Sequence, residues 1–291
     1  MNRYTERFRG ADGNALIADV TGGGHRPVLL LHGGGQTRHA WDRTGERLAE
    51  AGMTAIAVDQ RGHGESEWVV SKAYAGEDYA RDVVALREHI HAQFGALPAV
   101  VGASLGGIAS LAADRLSPGA MTALVLVDIT PRMDPEGVRK IQGFMGERMH
   151  EGFASLEEAA DAIARYLPHR KRPRSLDGLA KNLRLSTVDG RYRWHWDPAF
   201  LDGPRTINTG WEHAADDLAE AARGLTVPTL LVRGGQSELV PVEYAQEFLA
   251  LAPHAEFVDV TDAGHMVAGD RNDVFSDAII GFLQRVCAEA A

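Results

Sequence analysis

Short, unbroken apolar runs recur along this chain, each leading into a loop rich in glycine or aspartate. Val28–Leu31, Met53–Val58, Leu97–Val101 and Ala123–Val127 are four of them. Runs of this length without polar alternation suit strands buried on both faces. Between them lie stretches of helical periodicity: Trp41–Ala51, Tyr79–Phe94 and Ile108–Leu116. In the second, Val83, Val84, Leu86, Ile90 and Phe94 recur on one face. Strand alternating with helix predicts a parallel, doubly wound α/β sheet. Ahead of it, residues 3–9 and 14–20 alternate in polarity around Ala11-Asp12-Gly13-Asn14, which predicts an opening hairpin. Gly22-Gly23-Gly24 then reads as a flexible joint.

After Pro131 the rhythm breaks. Residues 132–216 hold short helical patterns, basic loops and the aromatic run Tyr192-Arg193-Trp194-His195-Trp196, with no strand of the earlier kind. It resumes with a strand at Thr229–Arg233, a helix at Val242–Leu251, a strand at Glu256–Val260 and a last helix over 273–288. The expected division is a core of 1–130 and 218–291 carrying an inserted cap over 131–217. In open parallel sheets, sites form at the carboxyl ends of strands. His32-Gly33-Gly34-Gly35, Asp59, Ser104 and Asp128 all fall at such ends.

Two of these strand ends carry candidate chemistry. Gly102-Ala103-Ser104-Leu105-Gly106 sits between a strand and a helix, where a serine can occupy a strained elbow with its Oγ exposed. The helix start that follows favours developing negative charge. The glycine loop at His32–Gly35 exposes backbone amides and reads as one arm of an oxyanion hole, with the Leu105 amide as the other. A phosphate loop would need a Gly-Lys-Ser/Thr ending, which is missing here. Asp59 and His63 lack the further ligands of a metal site. Asp59 and Arg61 read instead as groups that pin loop backbone.

Composition narrows the partners. With 291 residues, 45% hydrophobic and 24% charged, the chain is an ordinary globular one. A net charge of −10 disfavours nucleic acid and anionic membranes. The basic stretch His169–Arg174 reads as a solvated loop. Cys287 is the only cysteine, so no disulfide forms within the chain. No apolar run approaches the ~18 residues of a membrane span, and the charged N-terminus lacks the apolar core of a signal peptide. A cytoplasmic location, a small-molecule substrate and no metal or cofactor are the expectations; oligomeric state is not encoded in any of these features.

The ordered set His32-Gly33-Gly34-Gly35, Asp59-Gln60-Arg61-Gly62-His63-Gly64-Glu65-Ser66, Gly102–Gly107 and Ala263-Gly264-His265 resembles the α/β-hydrolase superfamily. The resemblance covers residues 3–130 and 218–288. It implies a mostly parallel eight-stranded sheet flanked by helices, with a mainly helical cap inserted. It also implies Ser104 as nucleophile, His265 as base, and the amides of Leu105 and Gly34 as oxyanion donors, Gly35 being interchangeable with Gly34. His32 and His63 read as loop-shaping residues, and His195 as a minor contender for the base. Members of the superfamily usually carry the acid in a Gly-x-x-Asp-x-x-x-Pro turn. Gly234 and Pro241 fit that spacing, but Ser237 holds the Asp slot and Glu238 follows it. Val127-Asp128-Ile129-Thr130-Pro131 resembles an esterase subgroup with the acid one strand earlier. Asp128 is therefore favoured, with Glu238 the alternative and Asp259 and Asp262 behind them. His32, Gly35, Trp41, Trp194, Trp196 and Met266 are the expected substrate-pocket residues, with Phe144, Met145 and Met149 as further candidates for its apolar wall. The implied activity is hydrolysis of a carboxylic ester, lactone or thioester through an acyl-enzyme. A C–C bond hydrolase, a cofactor-free haloperoxidase or dioxygenase, and a non-catalytic small-molecule receptor are the alternatives.

Overall fold

A computed structural model describes residues 2–168, 175–261, 263–265 and 272–289, without the side chains at 211, 212, 272–274 and 287–289. The basic stretch His169–Arg174, Asp262, Met266 and the side chain of Cys287 lie outside the described residues. The alternating segments Arg3–Arg9 (β1) and Ala15–Gly22 (β2) form the expected hairpin. The apolar runs become Pro27–Leu31 (β3), Thr54–Val58 (β4), Ala99–Ala103 (β5) and Leu124–Val127 (β6). Every residue in these four strands is buried. Neighbours along each strand face opposite ways, so one run feeds two cores. In β3, Leu29 and Leu31 enter one apolar cluster and Val28 and Leu30 the other.

Helices cover both faces. Asp42–Glu50 (α1) and the C-terminal helix Asn272–Glu289 close one, through Leu48, Ile279 and Leu283. Gly76–Phe94 (α2) and Leu105–Leu116 (α3) close the other, through Leu86, Ile90 and Ala109. Thr229–Gly234 (β9) and Glu256–Val260 (β10) complete eight strands in the order β1-β2-β4-β3-β5-β6-β9-β10. Only β2 runs against the rest. Both edges carry exposed polar positions, which blunt edge-to-edge pairing.

Between β6 and β9 stand Pro135–Gly146 (α4), Leu156–Tyr166 (α5), Asp177–Ala180 (α6), Ala199–Asp202 (α7) and Trp211–Gly224 (α8). The segment is mainly helical, with one departure from expectation. Leu183–Leu185 (β7) and Tyr192–Trp194 (β8) pair as a small antiparallel hairpin of their own. The boundary expected at 217/218 falls inside α8, a continuous helix that packs on α3 and on Val242–Leu251 (α9); as a unit it goes with the sheet layers. Backbone bonds seat the insertion on the loop after β4: Gly64 N–H donates to His195 O at 2.7 Å and Asp197 N–H to Gly62 O at 2.7 Å. The buried Asp197 carboxylate accepts from Tyr74 Oη and Lys72 Nζ, both at 2.7 Å. No helix among the described residues is long and apolar enough to cross a membrane.

Candidate active site

Ser104 links β5 to α3 at φ 46° and ψ −111°, a conformation L-residues rarely adopt. The elbow holds because its neighbours have no side chains. A Cβ on Gly102 would lie 2.4 Å from Gly106 O, and one on Gly106 would lie 2.4 Å from Leu31 O. Ser104 N–H donates to Val127 O at 3.1 Å, and Ile108 N–H donates to Ser104 O at 2.9 Å. Leu105 opens α3, so its amide has no partner within the helix.

The loop after β3 is fixed by two buried histidines of the same tautomer. His32 Nδ1–H donates to Gly33 O at 2.8 Å, and its Nε2 accepts from Gln60 N–H at 3.1 Å. His63 Nδ1–H donates to Arg61 O at 3.0 Å, and its Nε2 accepts from Gly35 N–H at 3.2 Å. Burial pushes His32 down to about 4 and His63 to about 3, so both stay neutral and keep accepting through Nε2. The Gly33 amide donates to Gln36 Oε1 at 3.1 Å. With Gly33 and Gly35 so engaged, Gly34 is the loop glycine whose amide has no hydrogen-bond partner among the described residues, and it borders the same cavity as Ser104 and Leu105. Asp59 and Arg61 do pin backbone. Asp59 accepts from the amides of Arg38 at 2.6 Å and Glu65 at 2.9 Å, and Arg61 grips Asp82 through two bonds of 2.7 Å.

Asp128 follows β6 at φ 51° and is 1 % exposed. Its carboxylate accepts from His265 Nδ1–H at 2.7 Å, Ser237 Oγ–H at 2.7 Å and Gly234 N–H at 2.9 Å. Ser237 also accepts from the amides of Leu239 and Val240, each at 3.1 Å. The serine in the usual Asp slot thus ties the turn after β9 to the Asp128 carboxylate at the end of β6. Glu238 is elsewhere: it pairs with Lys140 and accepts from Tyr166 Oη at 3.2 Å. Asp259 pairs with Arg233. Neither meets His265, because the one-residue shift turns Glu238 toward α4 and α5, and Asp259 lies within β10.

Ser104, His265, Gly34 and Leu105 border one cavity of about 100 Å³. Its wall is aliphatic: Ile108, Met133, Val138, Ile141, Met145, Ile207 and Leu239, with Phe200. Gln36 and Gln142 are its polar side chains besides the serine and histidine, and no described lining residue is Lys, Arg, Asp or Glu. Most of the expected pocket residues do not line it. His32 is fully buried behind the loop. Gly35 faces Met145 rather than the cavity; a Cβ there would meet Met145 Cε at 3.0 Å. Trp41 sits in the core shared by α1 and the C-terminal helix. Trp194 packs edge-on against Phe144 and Phe153, and Trp196 against Phe200. These indoles are structural because large aromatic area is best satisfied inside the insertion. Of Phe144, Met145 and Met149, only Met145 borders the cavity; Phe144 stacks on Tyr166 at 4.2 Å. His195 holds the insertion through its backbone and does not reach the cavity. A signal for the true wall was present: Val138, Ile141 and Met145 recur at helical spacing in α4.

A fold of this topology with a serine elbow defines a class, and the comparison with known families agrees. Residues 26–271 match the alpha/beta hydrolase fold family, and the chain belongs to it. It is a hydrolase. Among characterised relatives it is 29 % identical over 278 residues to an esterase of Mycobacterium tuberculosis, covering 92 % of this chain and 86 % of that one. It is 26 % identical over 291 residues to the 2-hydroxy-6-oxo-6-(2'-aminophenyl)hexa-2,4-dienoic acid hydrolase of Metapseudomonas resinovorans, covering 97 % and 92 %. The crystal structure of E-2-(acetamidomethylene)succinate hydrolase superposes with a TM-score of 0.79 at 25 % identity, covering 97 % and 100 %.

Proposed function

We propose that this hydrolase cleaves carboxylic esters of a neutral, apolar acyl group through an acyl-enzyme on Ser104. The observation that carries the reading is the Asp128–His265 hydrogen bond of 2.7 Å and a strained serine lining the same cavity as that histidine, with no Lys, Arg, Asp or Glu among the described lining residues. Asp128 holds His265 with Nδ1 protonated, so Nε2 is the basic nitrogen. That nitrogen removes the Ser104 hydroxyl proton as Oγ attacks the ester carbon. The carbonyl oxygen gains negative charge, and the amides of Gly34 and Leu105 meet it at the start of α3, where the helix dipole adds to them. The intermediate collapses, and His265 gives its proton to the departing alcohol. Water, activated by the same histidine, then hydrolyses the acyl-enzyme. The insertion serves as a cap whose α4 supplies the aliphatic wall.

The absence of Lys and Arg from the described lining favours this reading over hydrolysis of carboxylate substrates such as the dienoic acid and succinate in the two relatives' names. A carboxylate in a cavity without a described cation would be desolvated and unpaired, which costs several kcal/mol. Labelling by a fluorophosphonate and turnover of p-nitrophenyl esters test the proposal, with Ser104→Ala as control. Both are expected in the parent and lost in the variant. Absence of both in the parent would overturn the ester reading in favour of a binding protein or a different hydrolysis.

A further inference from the structure

A second cavity, of about 250 Å³, lies on the far side of Ile108 and Ile207, and both side chains line the two cavities. The arrangement follows from α3. Ser104, Ile108 and Ala112 succeed one another at four-residue spacing, so they share a face. Ile108 stands one turn beyond the serine, and Ala112 about 12 Å along the axis from it. Around Ala112 the neighbouring elements present small residues: Ala75, Gly76 and Ala80 at the start of α2, and Ala214 on α8. Short side chains on three facing elements leave the space unfilled. Gly76 looks straight at the partition, since a Cβ on it would lie 3.9 Å from Ile108 Cγ2.

Charge does not make this an ion site. Arg115 and Arg205 line it together with Glu77 and Asp217, two of each sign. Arg205 is already engaged, donating to Asp78 at 2.7 Å and to Glu77 at 3.3 Å. With the charges balanced in sign, the rest of the lining is mostly Ala, Ile and Leu, which favours an uncharged hydrocarbon.

We infer that the second cavity is a distal acyl subsite, entered past Ile108 and Ile207, that receives the tail of a medium-chain acyl group held at Ser104. The assignment rests on the ester-hydrolase reading for its substrate and on the shared partition for its location. It makes Ile108 and Gly76 the determinants of chain length. Gly76 is the first residue of α2, where leucine is a better helix former than glycine, so Gly76→Leu plugs the partition without opposing the fold.

The test compares p-nitrophenyl acetate, hexanoate and decanoate in the parent, Gly76→Leu and Ile108→Ala proteins. The decanoate-to-acetate ratio of kcat/KM is expected to fall about tenfold in Gly76→Leu and to rise in Ile108→Ala. Ratios unchanged in both variants would overturn the subsite. A binding arm needs no turnover: decanol and butanol are titrated against Ser104→Ala and against Gly76→Leu/Ser104→Ala, with thermal midpoint as readout. Decanol is expected to raise the midpoint of the first protein and not of the second; equal shifts would overturn the subsite. If no ester is hydrolysed while the decanol shift depends on Gly76, the ester reading falls and the cavity assignment stands.

Discussion

The sheet and the insertion use their side chains in opposite ways around the same cavity. On the sheet side, the polar groups at the strand ends are committed to one another. His32 and His63 shape the glycine loop, Asp59 and Arg61 anchor the next, and Ser237 and Gly234 hold Asp128. On the insertion side, α4 offers Val138, Ile141 and Met145, whose apolar side chains make no directional bond. The geometry around Ser104 and His265 is therefore fixed by buried polar networks, which tolerate little change. The cavity wall is fixed by volume, which tolerates much.

Breaking the sheet side is expected to have the largest effect. Asp128→Asn keeps the size of the side chain but removes the anion that selects the His265 tautomer. Loss of kcat/KM by about 10⁴-fold is expected in steady-state assays. A loss below about tenfold would place the acid elsewhere.

Acid is expected to act next, and again on the sheet side. His32 and His63 titrate at about 4 and about 3 when folded, below the ~6.5 of an unfolded histidine. The unfolded chain therefore binds more protons below pH 6.5. Stability is full above that value and falls as pH drops toward the folded values. Between pH 7 and pH 5 each histidine is expected to remove about 2 kcal/mol, read by urea unfolding at the two pH values. His63→Gln cannot charge, and the pH dependence should shrink by about that amount. An unaltered dependence would mean that His63 titrates normally.

The join between the two regions comes third. Asp197→Ala leaves the buried Tyr74 hydroxyl and the Lys72 ammonium without their shared acceptor. A cost of about 2 kcal/mol is expected. Hydrogen exchange should show it as faster opening of 182–205 with the strands β3 to β6 still protected. Uniform acceleration across the sheet would show that the two regions unfold as one.

The same contrast explains what could be read from the chain. Backbone-determined features are local in sequence. The buried runs at Val28–Leu31 and Ala123–Val127 announce strands, and Gly102 and Gly106 announce the elbow that only residues without Cβ permit. Ser237 in place of an aspartate pointed one strand back, and the carboxylate that meets His265 is Asp128. Apart from Met145 and its helical neighbours on α4, the pocket wall was not legible, because apolar side chains look alike in sequence whether they pack inward or face a cavity. Trp194 and Trp196 drew attention by size, yet size is what takes them into the insertion's own packing. Ile207 and Leu239 reach the wall from segments far apart in the chain, a placement no local periodicity contains.

Glu238→Gln is expected to do least, and it sharpens the contrast most. The residue is next to Ser237, so sequence alone leaves it a contender for the acid. Its carboxylate instead joins Lys140 of α4 and Tyr166 of α5, half-exposed on the insertion. Neutralising it removes an ion pair of that kind, worth about 0–1 kcal/mol. Burial and the Glu238 carboxylate together hold the Tyr166 hydroxyl above its ordinary value, so the amide should let that value fall. Steady-state kcat/KM should stay within about twofold of the parent, as for a surface substitution. An ultraviolet titration of tyrosine should show the shift at Tyr166. A collapse of turnover comparable to Asp128→Asn, with the tyrosine titration unmoved, would instead make the turn after β9 the home of the acid and Ser237 its spacer.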